Sequence, residues 1–500
     1  MDKFEKRQVP FTVATVDMDW HWSDSLDEQF KITQSGKNDA WHGGAHGWTG
    51  YSWNHNLFPD YKKFLADLKQ KNLAVTLNLH PAMGVRYFED AYVEMAKAME
   101  IDPKTEQCVE FDITDERFIN AYFEILHRPY EEDGVSFWWI DWQQGNESKI
   151  EGLKPLWALN HYHFMDHSLE HTPLILSRYC GVGSHRYPVG FSGDTYVSWE
   201  TLHYLPYFTA TASNLGYGWW SHDIGGHMSG SKDDELYIRF LQFGVFSPIN
   251  RLHSSCCETF SKEPGYFRNG VGLIAEEYLR FRHRLIPFLY TAAYENKEKG
   301  CTLIEPMYYE YPEKEEAYQF QGQYLFGKQL LVAPIVSKSV AYGIAAQNVW
   351  LPEGKWTDIF TGFIYTGGKI VEMHRYLEEI PVLASEGTIL VLDSEKNTNS
   401  IENPEMLEVW LFNGNGSYTL YEEYEDEYEI VVLRNDESDE AFNHIFAREI
   451  ACMQWLNEEK EKLYNNIVKN PGLEDDYIEN SSLPQIYKKR LSEIERNIKR

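Results

Sequence analysis

The sequence has no apolar run approaching the roughly 18 residues that a membrane-spanning helix needs, which excludes an integral helical membrane protein. Positive charge is also short: 46 lysines and arginines stand against 77 aspartates and glutamates, a net charge of −31. Such a balance repels phosphate backbones and anionic lipid surfaces, so neither nucleic acid nor a membrane is an expected partner. Cysteine is sparse. The six (Cys108, Cys180, Cys256, Cys257, Cys301 and Cys452) form no C-x-x-C pair, and the vicinal Cys256–Cys257 is a poor disulfide candidate. That usage predicts a reduced, cytoplasmic setting, and "MDKFEKRQVPF" at the start lacks the apolar core of a secretory signal.

What is abundant is aromatic. Sixteen tryptophans and 33 tyrosines sit in a chain that is 43% hydrophobic, a globular composition that is neither collagen-like nor disordered. Indole and phenol faces stack on the C–H faces of sugar rings, although large cores use the same residues. At 500 residues the chain has room for about two to four domains.

One grammar recurs through the first half: a short β-branched or aromatic run that ends on a polar residue. "FTVATVD" occupies 11–17, "LAVTLNLH" 73–80, "VSFWWID" 135–141, "PLILSR" 173–178 and "GYGWWSHD" 216–223. "GFSGD" at 190–194 and "GVFSPINRLH" at 244–253 bring the candidate strands to about seven. Near-continuous apolar strands separated by helices indicate a parallel sheet covered on both faces. Between the first two, "PDYKKFLADLKQKN" puts Tyr61, Phe64, Leu65 and Leu68 on one helical face with Asp60 as N-cap. The predicted fold is a (β/α)8 TIM barrel over 1–300, with its chemistry at the C-terminal ends of the strands. Asp17, His80, Asp141, Arg178 and Asp223 all fall there. A long helix is predicted at 276–300, kinked at Pro287 and stopped by Gly300.

Beyond 300 the grammar becomes short strands broken by glycine and proline, which predicts an antiparallel β-sandwich over 301–395. A partial β domain is expected at 396–435 and a charged helical tail at 436–500.

Two carboxylates stand out. Asp141 closes the apolar run "FWWID", where it either caps the next helix or marks a site. Asp194 lies in "GFSGDTYVSW", beside Gly193, which adds no side-chain bulk. Paired carboxylates suit glycoside hydrolysis, one as nucleophile and one as general acid. Arg178 is a candidate for keeping the nucleophile ionised.

"WWID" at 138–141, "SRYCGVGSHRYPVGFSGDTYVSW" at 177–199, "GYGWWSHDIGGH" at 216–227 and "RFLQFGVFSPINRLHSS" at 239–255 resemble, in order and spacing, the catalytic domain of glycoside hydrolase family 31. "FTVATVDMDWHW" is similar to that family's second barrel strand, and the resemblance extends over about residues 8–395. It implies a retaining, exo-acting α-glycoside hydrolase that uses a covalent glycosyl–aspartate intermediate. α-Glucosides are the expected substrates. An α-xylosidase, an α-transglucosylase with the same site, or an inactive carbohydrate-binding remnant are the alternatives.

By position the resemblance makes Asp141 the nucleophile and Asp194 the acid/base. It places Asp17, Trp139, Arg178, Asp223 and His253 around the sugar, with no metal or organic cofactor. Each has a plainer reading: Arg178 as a structural ion-pair partner, Trp139 as packing, His253 as a hydrogen-bonded core histidine, and Asp19 in place of Asp17 on the same strand face. His42 and His46 in "WHGGAHGWTGYSW" have the i, i+4 spacing of a zinc helix, but the interspersed glycines favour a substrate-facing loop.

The chain departs from the family at Gln144, where an acidic residue is usual three positions after the nucleophile. The family's N-terminal sandwich and first barrel strand have no counterpart before "FTVATVD". The expectation is therefore a barrel short of its first strand, with two exposed strand edges.

Overall fold

The computed structural model describes residues 2–22, 50–141, 145–169, 171–255, 261–267, 269–339, 344–394, 399–422 and 427–432. Gln144, His42, His46, Cys256, Cys257, Cys452 and the 436–500 segment lie outside the described residues.

A parallel sheet runs β1 (Val13–Val16), β2 (Ala74–Leu79), β3 (Phe137–Ile140), β4 (Ile175–Arg178), β5 (Gly190–Phe191) and β7 (Trp220–Ser221), each bonded to the next. Parallel bridges Ser221–Ile249 and Ile224–Leu252 add a seventh segment. The curled sheet with helices between its strands is a TIM-barrel arrangement, as the sequence pattern predicts. Among the described residues no ladder joins 249–252 to β1, yet His253 Nε2 lies 3.6 Å from Asp17 Oδ2, so the two ends of the sheet meet through side chains.

The alternation of strand side chains explains what points where. In β3, Trp138 and Ile140 pack outward into two different helix-covered clusters. Phe137 and Trp139 pack inward with Leu176 and Phe191. Continuing the same step of two puts Asp141 inward as well. All four β3 residues are buried, as a strand covered on both faces requires.

The helix Tyr61–Gln70 forms where the apolar spacing predicts, with Leu65 and Leu68 buried and the Asp60 carboxylate accepting from the Lys63 N–H at 2.9 Å. Two expectations need correction. The helix predicted at 276–300 is two helices, Asn269–Arg284 and Ile286–Lys299; Pro287 breaks it outright and opens the second one within its first turn. Gly300 stops it at φ +70°, its N–H donating to Asn296 O. The strand read at 244–253 begins too early: the helix Asp234–Val245 runs into it, buried along its whole second half, and only 249–252 aligns with the sheet.

The later residues form an antiparallel six-stranded sheet from Ile304–Pro306, Tyr324–Phe326, Leu330–Val332, Lys355–Asp358, Ile364–Thr366 and Val382–Ser385. Two-stranded ladders pair Ala345–Leu351 with Lys369–Arg375 and Ile389–Asp393 with Leu407–Leu411. The sheet is fastened to the barrel by Arg239, which donates to Glu379 O at 2.7 Å and Tyr376 O at 3.1 Å, and by the Tyr324 hydroxyl on Phe246 O at 2.7 Å. Among the described residues no helix is long and apolar enough to cross a membrane.

Candidate active site

The step of two that turns Asp141 inward does the same along the neighbouring strands. It places Asp17 after β1, Asn78 and His80 at the end of β2, Arg178 at the end of β4, Asp223 after β7, and Arg251 and His253 in the segment that follows. These residues meet at the C-terminal rim of the sheet.

At the centre is one guanidinium held by two acids. Arg178 donates through Nε to Asp141 Oδ1 and through Nη2 to Asp194 Oδ1, the latter at 2.9 Å. Arg178 also lies over the Phe191 ring, 5.1 Å from its centroid. The other Asp141 oxygen receives Asn78 Nδ2 at 3.2 Å and stands 3.5 Å from His80 Nε2. Burial opposes ionisation of Asp141, but the hydrogen bond and charge of His80 together with Arg178 outweigh it and hold the carboxyl well below the usual range. Among the described residues the next helix starts at Pro155 with Lys154 as its cap, so Asp141 is not the cap of that helix.

Asp194 comes from a bend and not from a strand. Its side chain is 39% exposed against 8% for Asp141, so the two acids occupy the rim and the floor of one site. The segment after it is tied down by the His227 and Met228 N–H groups, which both donate to Thr195 O. β6 (Tyr196–Val197) then pairs in parallel with β8 (Met228–Gly230).

Asp17 and Asp19 are now distinguished. β1 ends at Val16, and Asp17 caps a short 3-10 turn by accepting from the Met18 N–H at 2.7 Å, so the strand never reaches Asp19. Burial raises the Asp17 carboxyl, with the Asp141 charge adding to it and the Met18 N–H opposing.

Asp223 is 1% exposed and receives Arg251 Nη2 at 2.5 Å on Oδ1. Burial raises its pKa against the opposing charges of Arg251 and His227. Arg251 is fixed by Ser221 Oγ at 3.2 Å and lies over the Trp139 and Phe191 rings at 5.2 and 5.5 Å. His253 sits edge-on to Trp139, 5.3 Å between centroids, and burial with the nearby Arg251 charge pushes its imidazole well below the usual histidine range. Burial also pushes Lys262, which feels the Asp223 charge, down to about 8.

Every site residue named from the sequence is thus in this cluster: Asp17, Trp139, Asp141, Arg178, Asp194, Asp223 and His253. Sequence reasoning placed His80 at a strand end without carrying it into the site, and it missed Asn78, His227, Arg251 and Lys262. Asn78 and Arg251 were findable, since each lies two residues before a residue already named. Asp194, Asp223 and His227 bring one ligand atom each within 4.8 Å of the others, the described group that could hold a cation. Positive charge already stands beside Asp223, from the Arg251 guanidinium that donates to it and from Lys262.

The fold and its rim define a TIM barrel with a polar centre of paired aspartates and guanidinium groups. Residues 1–292 match the TIM-barrel domain of glycosyl hydrolases family 31, and residues 300–390 match that family's C-terminal domain. The chain belongs to glycosyl hydrolase family 31. It is 23% identical over 454 residues to an alpha-xylosidase of Saccharolobus solfataricus, covering 84% of this chain and 57% of that protein. It is 26% identical over 419 residues to alpha-glucosidase 2 of Bacillus thermoamyloliquefaciens, covering 76% and 52%. A family 31 dextranase of Flavobacterium johnsoniae, solved with glucose, superposes with a TM-score of 0.70 at 22% identity, covering 87% of this chain and 57% of that one. The chain spans about half the length of the curated relatives it matches.

Proposed function

We propose that the chain is the catalytic portion of a retaining, exo-acting α-glycosidase acting on α-glucosides by double displacement. The observation that carries this reading is the single Arg178 guanidinium bonded to both Asp141 and Asp194. One side chain bonded to both carboxylates supports the close pairing, about 5 Å apart, that a retaining mechanism uses. Asp141, buried and held ionised, is the nucleophile. Asp194, on the open rim where a leaving group departs, is the acid that protonates the glycosidic oxygen and then the base that activates water.

Sugar recognition falls to the groups left unsatisfied. Trp139 Nε1 and Asp223 Oδ2 are buried with no hydrogen-bond partner among the described residues. Buried polar atoms of this kind call for partners, and sugar hydroxyls can donate to the carboxylate and accept from the indole. Asp17 and His253 complete the set, which strengthens its grip as positive charge develops on the ring.

The test is release of nitrophenol from aryl α-glucoside and α-xyloside by this chain and by Asp141→Asn. The expected result is turnover that is higher on the glucoside and falls by about a thousandfold or more in the variant. Azide should then intercept Asp141→Ala as a glycosyl azide. A preference for the xyloside would move the substrate to the α-xylosidase alternative, and sugar transfer to added glucose would make the protein a transglucosylase. Sugar binding without turnover by the parent would leave the remnant reading.

A further inference from the structure

Donors surround the Asp141 carboxylate, and they divide unequally between its oxygens. Asn78 Nδ2 and His80 Nε2 both address Oδ2, at 3.2 and 3.5 Å. Arg178 Nε addresses Oδ1. A carboxylate oxygen offers two lone pairs, so Oδ2 is filled while Oδ1 keeps one pair for a new bond. Asn78 and His80 are consecutive inward residues at the end of β2, 0% and 3% exposed, and β2 is bonded to strands on both sides. Their positions are therefore set by the sheet, with little freedom to follow the carboxylate elsewhere.

We propose that His80 is a positioning residue for the nucleophile: with Asn78 it pins Oδ2 and assigns Oδ1 as the oxygen that bonds to the anomeric carbon. This rests on the α-glycosidase reading above. In the first step the free Oδ1 pair bonds to the anomeric carbon as the bond to the leaving oxygen breaks. That oxygen keeps the pair and takes the proton from Asp194. In the second step a water gives a proton to Asp194 and bonds to the same carbon, and the electron pair of the carbon–Oδ1 bond returns to Asp141.

The two steps use the His80 contact differently. The ester intermediate is neutral at Oδ2, so a donor there gains strength only as charge returns to the carboxylate. His80 thus assists breakdown of the intermediate more than its formation. A residue that merely supported the fold would affect both steps alike.

A fluorinated α-glucosyl fluoride, which forms the ester faster than it releases it, separates the steps by intact mass. The parent should label at Asp141 and release at a measurable rate. His80→Ala should label at nearly the parental rate and release about tenfold more slowly. His80→Gln, whose amide N–H reaches near the Nε2 position, should recover release to within about threefold of the parent. If His80→Ala does not fold, His80→Asn, whose amide stops short of Oδ2, makes the same comparison. Parental release from the Ala or Asn variant overturns the assignment and leaves the glycosidase reading intact, as does equal slowing of both steps. A parent that hydrolyses the aryl α-glucoside yet forms no adduct overturns the nucleophile reading, and this inference with it.

Discussion

Gly193 lies so close to Arg178 that a Cβ at position 193 would collide with the guanidinium. Its backbone sits at φ +77°, where a side chain is strained in any case. The close approach lets Arg178 reach both Asp141 and Asp194 from one rotamer. Gly193→Ala should cost about 1–2 kcal/mol of stability through the backbone. It should also lower kcat/KM by about tenfold or more, because displacing the guanidinium disturbs both acids. Aryl glycoside kinetics beside thermal melting separate the two effects. Unchanged kinetics would show that the Arg178 clamp has no part in turnover.

Arg178 itself carries a pH prediction. Asp141 is held well below the ordinary carboxylate range by His80 and Arg178 against the cost of burial. Its depressed pKa contributes stability above the unfolded carboxylate value, and that contribution is lost as pH falls through the folded value. Arg178→Gln removes one of the two supports. The Asp141 carboxyl should rise by about a unit or more, so the acidic limb of kcat/KM should move to higher pH. A profile that drops in height with its acidic limb unmoved would mean that Arg178 does not set the ionisation of Asp141.

How much of this was legible beforehand follows the physics of strands. A buried parallel strand announces itself as a short apolar run, so the barrel and the carboxylate that ends "FWWID" could be read directly. The alternation by two could have gone further, since it also delivers Asn78 and Arg251, which sit one step before His80 and His253. What could not be read came from interruptions and tertiary crossings. Pro287 was seen, but local sequence could not say whether it would bend the helix or end it. Gly244 and Val245 were read into a strand, yet they end a helix that is buried along its second half, where apolar residues on every side hide the helical period. Lys262 and His227 reach the centre from loops, whose paths have no sequence period. The choice between Asp17 and Asp19 turned on where β1 ends, a point settled by the Met18 N–H that Asp17 caps.

Glu89 supplies a prediction about stability and not catalysis. It is 3% exposed and accepts from the Tyr51 N–H at 3.1 Å and the Ser52 hydroxyl at 2.5 Å, while Ser52 Oγ accepts from the Asp90 N–H at 2.7 Å. Ser52 and Asn54 in turn pair with Trp22 and Trp20, so this clip fastens the chain that follows Asp17. Burial pushes the Glu89 carboxyl from 4.5 up to about 7, more than the Ser52 and Tyr51 hydrogen bonds pull it down. The folded state therefore keeps a proton that the unfolded state has lost. Stability should decline as pH rises from about 4.5 to about 7 and change little beyond, by an amount on the order of a few kcal/mol. Glu89→Gln keeps an acceptor for both donors and removes the charge. Its melting temperature should lie close to the parent's at pH 5 and above it at pH 8. A variant that melts below the parent at pH 8 would show that ionised Glu89 is a net stabiliser, with its charge matched by Arg86, whose attraction lowers the carboxyl pKa.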